Sequence, residues 1–311
     1  MTNKEKYKQL CEQIELPLFM QYWWLEGVYA GTDWDIILIE QEGEIQAALP
    51  YQTDKWLWRR YVHPIEMVPY GGLWVKPELR EDKEALKRCC NDIKTLLQEA
   101  KVGAYSQRFF PDEDLALAFV ENDSKIGARR TYILKDIEDL DKVIEEFSRN
   151  KRKKLEKQTL TYKVEDIEPE EFYYFHVATC RQKNRRMRYT REMLLVIYEK
   201  AKERDCCRIV GVRDAHGELL AAALLVWDNK STYVLANTFD HDHPSGGARE
   251  LLTLEEIKHA RNIHTQLDFT CSQDYLKNYG AKRHPLFIVR FGSLPLRAVG
   301  RLLTLFERHA I

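Results

Sequence analysis

Asp240-His-Asp-His243 is the most ligand-like string in this 311-residue sequence. Two histidines at i and i+2 share one side of an extended segment and carboxylates flank them, as a divalent-metal site would require. No third ligand follows at motif spacing, so the string reads as a surface loop and no metal is expected. Directly after it, Pro244-Ser-Gly-Gly-Ala248 opens a helical pattern that runs to about Asn262. The backbone amides of Ser245, Gly246 and Gly247 at such an entry can cradle a phosphate, although a plain glycine-rich helix start would read the same way. Two basic strings offer complementary charge. Arg149 to Lys157 carries Arg149, Lys151, Arg152, Lys153, Lys154 and Lys157 against Glu156 alone, and Lys183-Asn-Arg-Arg-Met-Arg-Tyr189 follows in a loop between two helices. Arg149, Asn150, Arg152, Lys183 and Arg186 are the candidates for holding phosphate on a nucleotide-linked precursor, a polyprenyl-linked sugar or a tRNA end. A solvated helix face is the competing account of the first string.

These strings must be positioned by a folded scaffold, and the composition supplies one. Hydrophobic residues make up 44% and charged residues 31%, enough for buried cores in a chain of two-domain length. Forty-eight Lys and Arg against 49 Asp and Glu leave a net charge of −1, so no whole-molecule field draws in DNA or an anionic membrane. Any polyanion site is therefore local. The longest apolar run, Leu219 to Trp227, is about half a membrane span, and Met1 to Gln13 lacks a secretory pattern; the expected location is cytoplasmic. Seven cysteines, with vicinal pairs at 89–90 and 206–207 and no CxxC, read as reduced thiols.

The periodicity predicts a helix within Leu16 to Val28, a hairpin of strands 35–39 and 45–52, a strand over 56–62, a segment over 70–75, a helix over 81–100 and a strand over 102–107. A similar order returns as helices 170–185 and 190–204, strands 207–212, 219–227 and 231–238, a helix over 249–262, a strand over 266–270 and a helix from about Gln273. Gly43-Glu-Ile-Gln-Ala-Ala48 and Gly217-Glu-Leu-Leu-Ala-Ala222 occupy equivalent hairpins. The pattern reads as a duplicated α/β domain, 1–135 and 136–311, ending in a basic amphipathic helix over Pro295 to His309 that packs on the protein.

Four pieces of the second half stand in a recognisable order: Phe147-Ser-Arg-Asn-Lys-Arg152, the Gly217-Glu218 hairpin, the helix Gly247 to Ala260, and Leu267-Asp-Phe-Thr270 before Tyr275-Leu-Lys-Asn-Tyr-Gly-Ala281. The order resembles the tandem GNAT-fold acyltransferases related to FemABX, including the polysaccharide-associated acetyltransferase branch. Their wording is F-S-x-N-x-R, a G-x-x-L-L-x-x-x-I-x-x-A helix, a D-F strand and a Y-K-x-x-F-G-A close, where this chain has Tyr279 in place of Phe. Trp23-Trp24-Leu25 and Ala48-Leu-Pro-Tyr51 are similar to the family's first-domain segments, so the resemblance spans nearly the whole chain.

The resemblance implies two tandem GNAT-like α/β domains with mixed sheets flanked by helices, the first shaping an acceptor cleft and the second carrying donor and chemistry. It implies amide formation between an activated acyl or aminoacyl group and an amine acceptor, such as a cell-envelope or polysaccharide precursor. In that scheme two parallel strands splay to admit the donor, placing Asn237, Ser245, Gly246 and Gly247 on the donor side. Tyr275 would protonate the leaving group and Asp268 would orient or deprotonate the amine, or else hold a strand end. The co-substrate is an acyl-CoA or an aminoacyl-tRNA. The glycine loop lacks the R/Q-x-x-G-x-G/A pattern of ordinary CoA-binding GNAT enzymes, and no span matches the long helical arm of FemA-type members. A non-catalytic binding module for an anionic envelope precursor or a protein partner is the reading of a different class.

Overall fold

The computed structural model describes residues 1–32, 34–56, 59–64, 67–110, 113–119, 125–158, 162–242 and 247–292, which fall into two compact units. The first comprises residues 1–129 together with the described residues from 285 onward, and the second runs over residues 130–284.

In the first unit, α1 (Asn3–Gln13) and α2 (Tyr22–Val28) precede the hairpin of β1 (Trp34–Gln41) and β2 (Glu44–Gln52). The two-residue turn between them, Glu42-Gly43, has φ of 52° and 83°, the left-handed pair that a tight hairpin needs and that glycine adopts freely. Then come β3 (Asp54–Trp56), β4 (Arg59–Val62), β5 (Trp74–Val75), α3 (Pro77–Glu81), α4 (Lys83–Glu99), β6 (Val102–Arg108) and α5 (Glu113–Ala118). The Asp82 carboxylate accepts from the backbone N–H groups of Glu84 and Ala85 and so starts α4. Its buried stripe of Leu86, Cys90, Ile93 and Leu97 enters a core with Tyr105 and Phe109.

In the second unit the described elements are β7 (Lys125–Leu134, of which Arg130 onward lies in this unit), α6 (Leu140–Glu146), α7 (Arg149–Gln158), β8 (Lys163–Asp166), α8 (Pro169–Gln182), α9 (Arg191–Lys202), β9 (Cys207–Arg213), β10 (Leu219–Trp227), β11 (Ser231–Phe239), α10 (Ala248–Asn262) and β12 (Gln266–Asp268), with a 3-10 turn over Asp274–Tyr279. The strand order is β7-β12-β11-β10-β9-β8, with β11 and β12 the parallel neighbours. From Leu220 to Val226 every residue of β10 is buried, as a strand covered on both faces requires. The last strand, β13 (Lys282–Gly292), pairs from Ile288 to Gly292 with β6, antiparallel, in the first unit.

Several expectations change. The segment expected as one helix over 16–28 divides into a 3-10 turn, Leu18–Met20, and α2, because Pro17 precedes the turn and Gln21 is extended. The strand over 56–62 is two short antiparallel strands, and the 70–75 segment forms a strand at Trp74–Val75 alone, with Gly71 making an isolated parallel bridge to Phe109. The helix from Gln273 is a 3-10 turn closed by Gly280 at φ 77°. The reading that carried the second domain to residue 311 meets β13, whose residues from Pro285 belong to the first unit. The Pro295 to His309 helix lies outside the described residues, as do His243, Pro244, Ser245 and Gly246. Among the described residues no helix is long and apolar enough to cross a membrane.

Candidate active site of the second unit

The site begins where two parallel strands part. On one edge β11 pairs with β10 as far as Phe239↔Ala221, with Leu235 as an extra, bulged residue; on the other its pairing with β12 ends at Tyr233↔Asp268. Beyond that point the β12 chain turns away. Thr270, at φ 46°, donates its hydroxyl to the Val234 carbonyl at 2.6 Å. Asp268 is buried, and its Oδ1 accepts from the Thr131 hydroxyl at 2.7 Å and the Thr270 N–H at 2.8 Å. Of the two roles the sequence left open for Asp268, these bonds describe the strand-end one. They fix the mouth of an opening along residues 235–239, and Asn237 is exposed there.

At the C-terminal end of β11 the Phe239 ring gathers basic side chains from separate elements. Lys183 Nζ, from the loop after α8, lies 4.4 Å from its centroid, the Arg249 guanidinium, from the first turn of α10, 4.6 Å, and the His241 ring 4.3 Å. Arg249 also covers the Tyr275 ring at 3.7 Å. Among the described residues no carboxylate stands within ion-pair distance of Lys183, Arg185 or Arg249. Burial, with Arg185 and Arg249 nearby, pushes the Lys183 ammonium down to about 8. His241 is lowered as well, by burial first and then by Lys183. The Tyr275 phenol is pushed up to about 12 by burial, opposed by Arg249, so it keeps its proton through the neutral range.

Tyr275 is held from below. Asp274, the first residue of its 3-10 turn, accepts from the Tyr132 hydroxyl and from Arg130 Nη2 at 3.1 Å, while Arg130 Nε donates to the Ser272 carbonyl at 3.1 Å. Gly247 caps α10 at φ 129°, a backbone only glycine adopts without strain, and so sets the start of a 15-residue helix beside Phe239.

The two basic strings have different fates. In the first, Lys151 pairs with the buried Glu250 at 2.6 Å and lies over the Tyr279 ring at 4.8 Å, and Arg152 Nη1 donates to the Glu145 carbonyl at 3.0 Å. Arg149 and Asn150 remain exposed. In the second, Lys183 joins the Phe239 cluster, and Arg185 rather than the exposed Arg186 is the loop arginine whose charge is felt there. Arg249, Phe239 and Arg185 escaped the sequence reading. The signal for Arg249 was its place two residues after Gly247, in the first turn of the helix already singled out. Asp240 and Asp242 are both engaged by the Gln182 amide, and among the described residues no group of three or more metal-ligating side chains assembles.

Residues 129–279 match the family model of the acetyltransferase (GNAT) domain. This half of the chain is a GNAT acyltransferase domain. The parting of β11 from β12 beside the start of α10 lies within the matched residues. Among curated proteins none matches the sequence. Among solved structures the chain is similar to FemX, at 13% identity and TM-score 0.67 over 92% of this chain and 96% of that one. It is similar to the C-terminal domain of a putative lysylphosphatidylglycerol synthetase from Agrobacterium fabrum, at 11% and 0.61 over 97% and 96%. A tandem GNAT protein from the clavulanic acid biosynthesis pathway follows, at 11% and 0.50 over 92% of each. These likenesses establish the fold, a FemX-like tandem GNAT architecture, and the GNAT domain makes the chain an acyl-transferring enzyme.

Proposed function

We propose that the protein forms an amide by moving an acyl or aminoacyl group from a phosphate-bearing donor to an amine acceptor, with the GNAT domain carrying the chemistry. The observation that carries this reading is the convergence of Lys183 and Arg249 on Phe239 at the start of α10, with no carboxylate within ion-pair distance of them among the described residues. Charged donors without an internal partner suit a phosphate, and the positive end of α10 adds to their field. The donor carbonyl enters the opening along residues 235–239, where the β11 edge released from β12 offers backbone N–H groups to polarise it. The amine nitrogen bonds to the carbonyl carbon, the bond to the leaving sulfur or oxygen breaks, and Tyr275 supplies that atom's proton while the amine releases its own to solvent. Asp268 acts by holding the mouth of the opening through Thr131 and Thr270.

The phosphate-bearing donor is an acyl-CoA or an aminoacyl-tRNA. The neighbours described as FemX and as a putative lysylphosphatidylglycerol synthetase favour the aminoacyl form, on a cell-envelope amine. Calorimetric titration with acetyl-CoA and free CoA at low salt separates the two. A Kd near or below roughly 100 μM, the scale of ordinary substrate affinities, assigns the thioester. Silence toward CoA together with acyl transfer from a charged tRNA assigns the ester, and failure of both overturns the proposal.

A further inference from the structure

We infer that Gln182 is a positioning residue that sequesters the carboxylates of Asp240 and Asp242, and so keeps the Lys183–Arg185–Arg249 cluster free to take an anion. The inference rests on the anionic-donor reading above. Gln182 is the last residue of α8 and is exposed, so it contributes little by filling the core. Its side-chain amide nevertheless uses both faces. Nε2 donates to Asp240 Oδ1 at 2.8 Å and to Asp242 Oδ2 at 2.9 Å, while Oε1 accepts from the His241 N–H at 3.1 Å. The Asp242 N–H closes the turn onto Asp240 Oδ1 at 3.0 Å.

The placement matters because the two acids are the near competitors for the cations. Asp240 follows Phe239 directly, His241 packs on the Phe239 ring, and Lys183 follows Gln182. Asp240 adjoins the ring on which Lys183 and Arg249 lie, so a carboxylate released from the amide would compete for the site that an anionic ligand needs. A neutral amide is suited to prevent this. It offers two N–H donors to two acids and a carbonyl to the intervening N–H, where a lysine would add charge and a carboxylate would add repulsion. Upstream, Thr179 on α8 hydrogen-bonds Thr238 on β11, which fixes the helix end that presents Gln182.

The test uses the full chain, inorganic pyrophosphate as the anionic probe, and Gln182→Leu, which removes the amide and leaves an uncharged apolar side chain. Pyrophosphate affinity should fall on the order of tenfold, the scale of losing a charge-assisted contact, with the melting temperature little changed. The NMR titration of His241 should move to higher pH as the freed acids approach its ring. Adding Asp240→Asn and Asp242→Asn to Gln182→Leu removes the competitors and should restore the affinity, a recovery that a merely structural role would not produce. Gln182→Glu gives a second route, weakening pyrophosphate in the same direction. If the triple variant stays as weak as Gln182→Leu and His241 titrates as in the parent, sequestration is wrong. If the parent itself ignores pyrophosphate, the anionic-donor reading fails in this form, while the His241 shift still decides whether Gln182 restrains the two acids.

Discussion

Lys183 sits near a change of charge state under mildly alkaline conditions. Its ammonium is lowered to about 8 by burial and by Arg185 and Arg249, so its charge fades as the pH rises through that value. A bound anion would restore it. Affinity of the parent protein for free CoA or pyrophosphate should therefore fall by roughly threefold to tenfold between pH 7 and 9, whereas Lys183→Arg, whose guanidinium stays charged, should hold nearly level across the same range in calorimetry. Equal slopes for the two proteins would remove Lys183 from the site. Tyr275 has a different signature. Tyr275→Phe keeps the ring beneath Arg249 and deletes only the hydroxyl with its proton, so kcat should drop on the order of a hundredfold with KM little altered; a loss confined to KM would leave the phenol as a stacking surface. Both residues were legible as types at suggestive positions. Arg249 and Phe239 were not, because their meaning comes from a contact among β11, α10 and the Asp274–Tyr279 turn that no local pattern encodes. The choice of Arg185 over Arg186 is likewise conformational, made in a loop where Asn184 turns at φ 54°.

At the scale of elements, α10 is enclosed nearly all round, and it buries acids as well as apolar side chains. Glu250 has Lys151, but both carboxyl oxygens of Glu256 are buried without a hydrogen-bond partner, and burial pushes that carboxyl up to about 8 while Arg249 pulls it down. The folded state thus holds a proton between about pH 4.5 and 8 that the unfolded chain gives up, so this group's contribution to stability declines as pH rises through that window. Glu256→Gln, which cannot ionise, should come nearest the parent in denaturant melts near pH 4.5 and gain on it by at least ~1 kcal/mol at pH 8.5. His176 works in the opposite sense. Burial lowers it to about 4, so its contribution is complete above the ordinary histidine range and is lost on acidification toward that value. It is common to both proteins and cancels in their difference. A Gln variant equally destabilised at both pH values would mean that the carboxyl is satisfied in the native state.

Element by element, the sequence was most legible where periodicity and turn chemistry agree, as in the paired hairpins around Gly43 and Gly217, both at positive φ. It was least legible where one contradicts the other. Pro285 inside Lys282–Gly292 argues against a strand, yet β13 forms, with its pairing to β6 starting three residues later at Ile288. The first helix carries little periodic signal, because only Tyr7 and Leu10 of Asn3–Gln13 are buried, too sparse a stripe to register. Its signal was the capping box, Thr2 and Glu5 exchanging hydrogen bonds.

For the whole molecule, the order of short motifs carried the fold further than identity does, since a FemX-like architecture is kept at 13% identity. Packing needs apolar residues of suitable volume at the right period, a demand many sequences meet, whereas the site needs particular charges at particular ends of strands. Net charge belongs to this scale too. At −1 the chain has no long-range pull on a polyanion, so a tRNA donor would be held by local contacts alone. Lys183 and Arg249 at Phe239 with Arg185 nearby, contacting the single-stranded end of a tRNA, imply a logarithmic salt slope of roughly −2, and recruitment of the exposed Arg181, Arg186 and Arg188 would steepen it to roughly −4. Measured by tRNA binding between about 50 and 200 mM salt, a slope in that interval should shrink by about one contact's share in Arg249→Ala. A slope near zero would show that phosphates are not recognised by this face, and a much steeper one would place most of the contacts elsewhere on the chain.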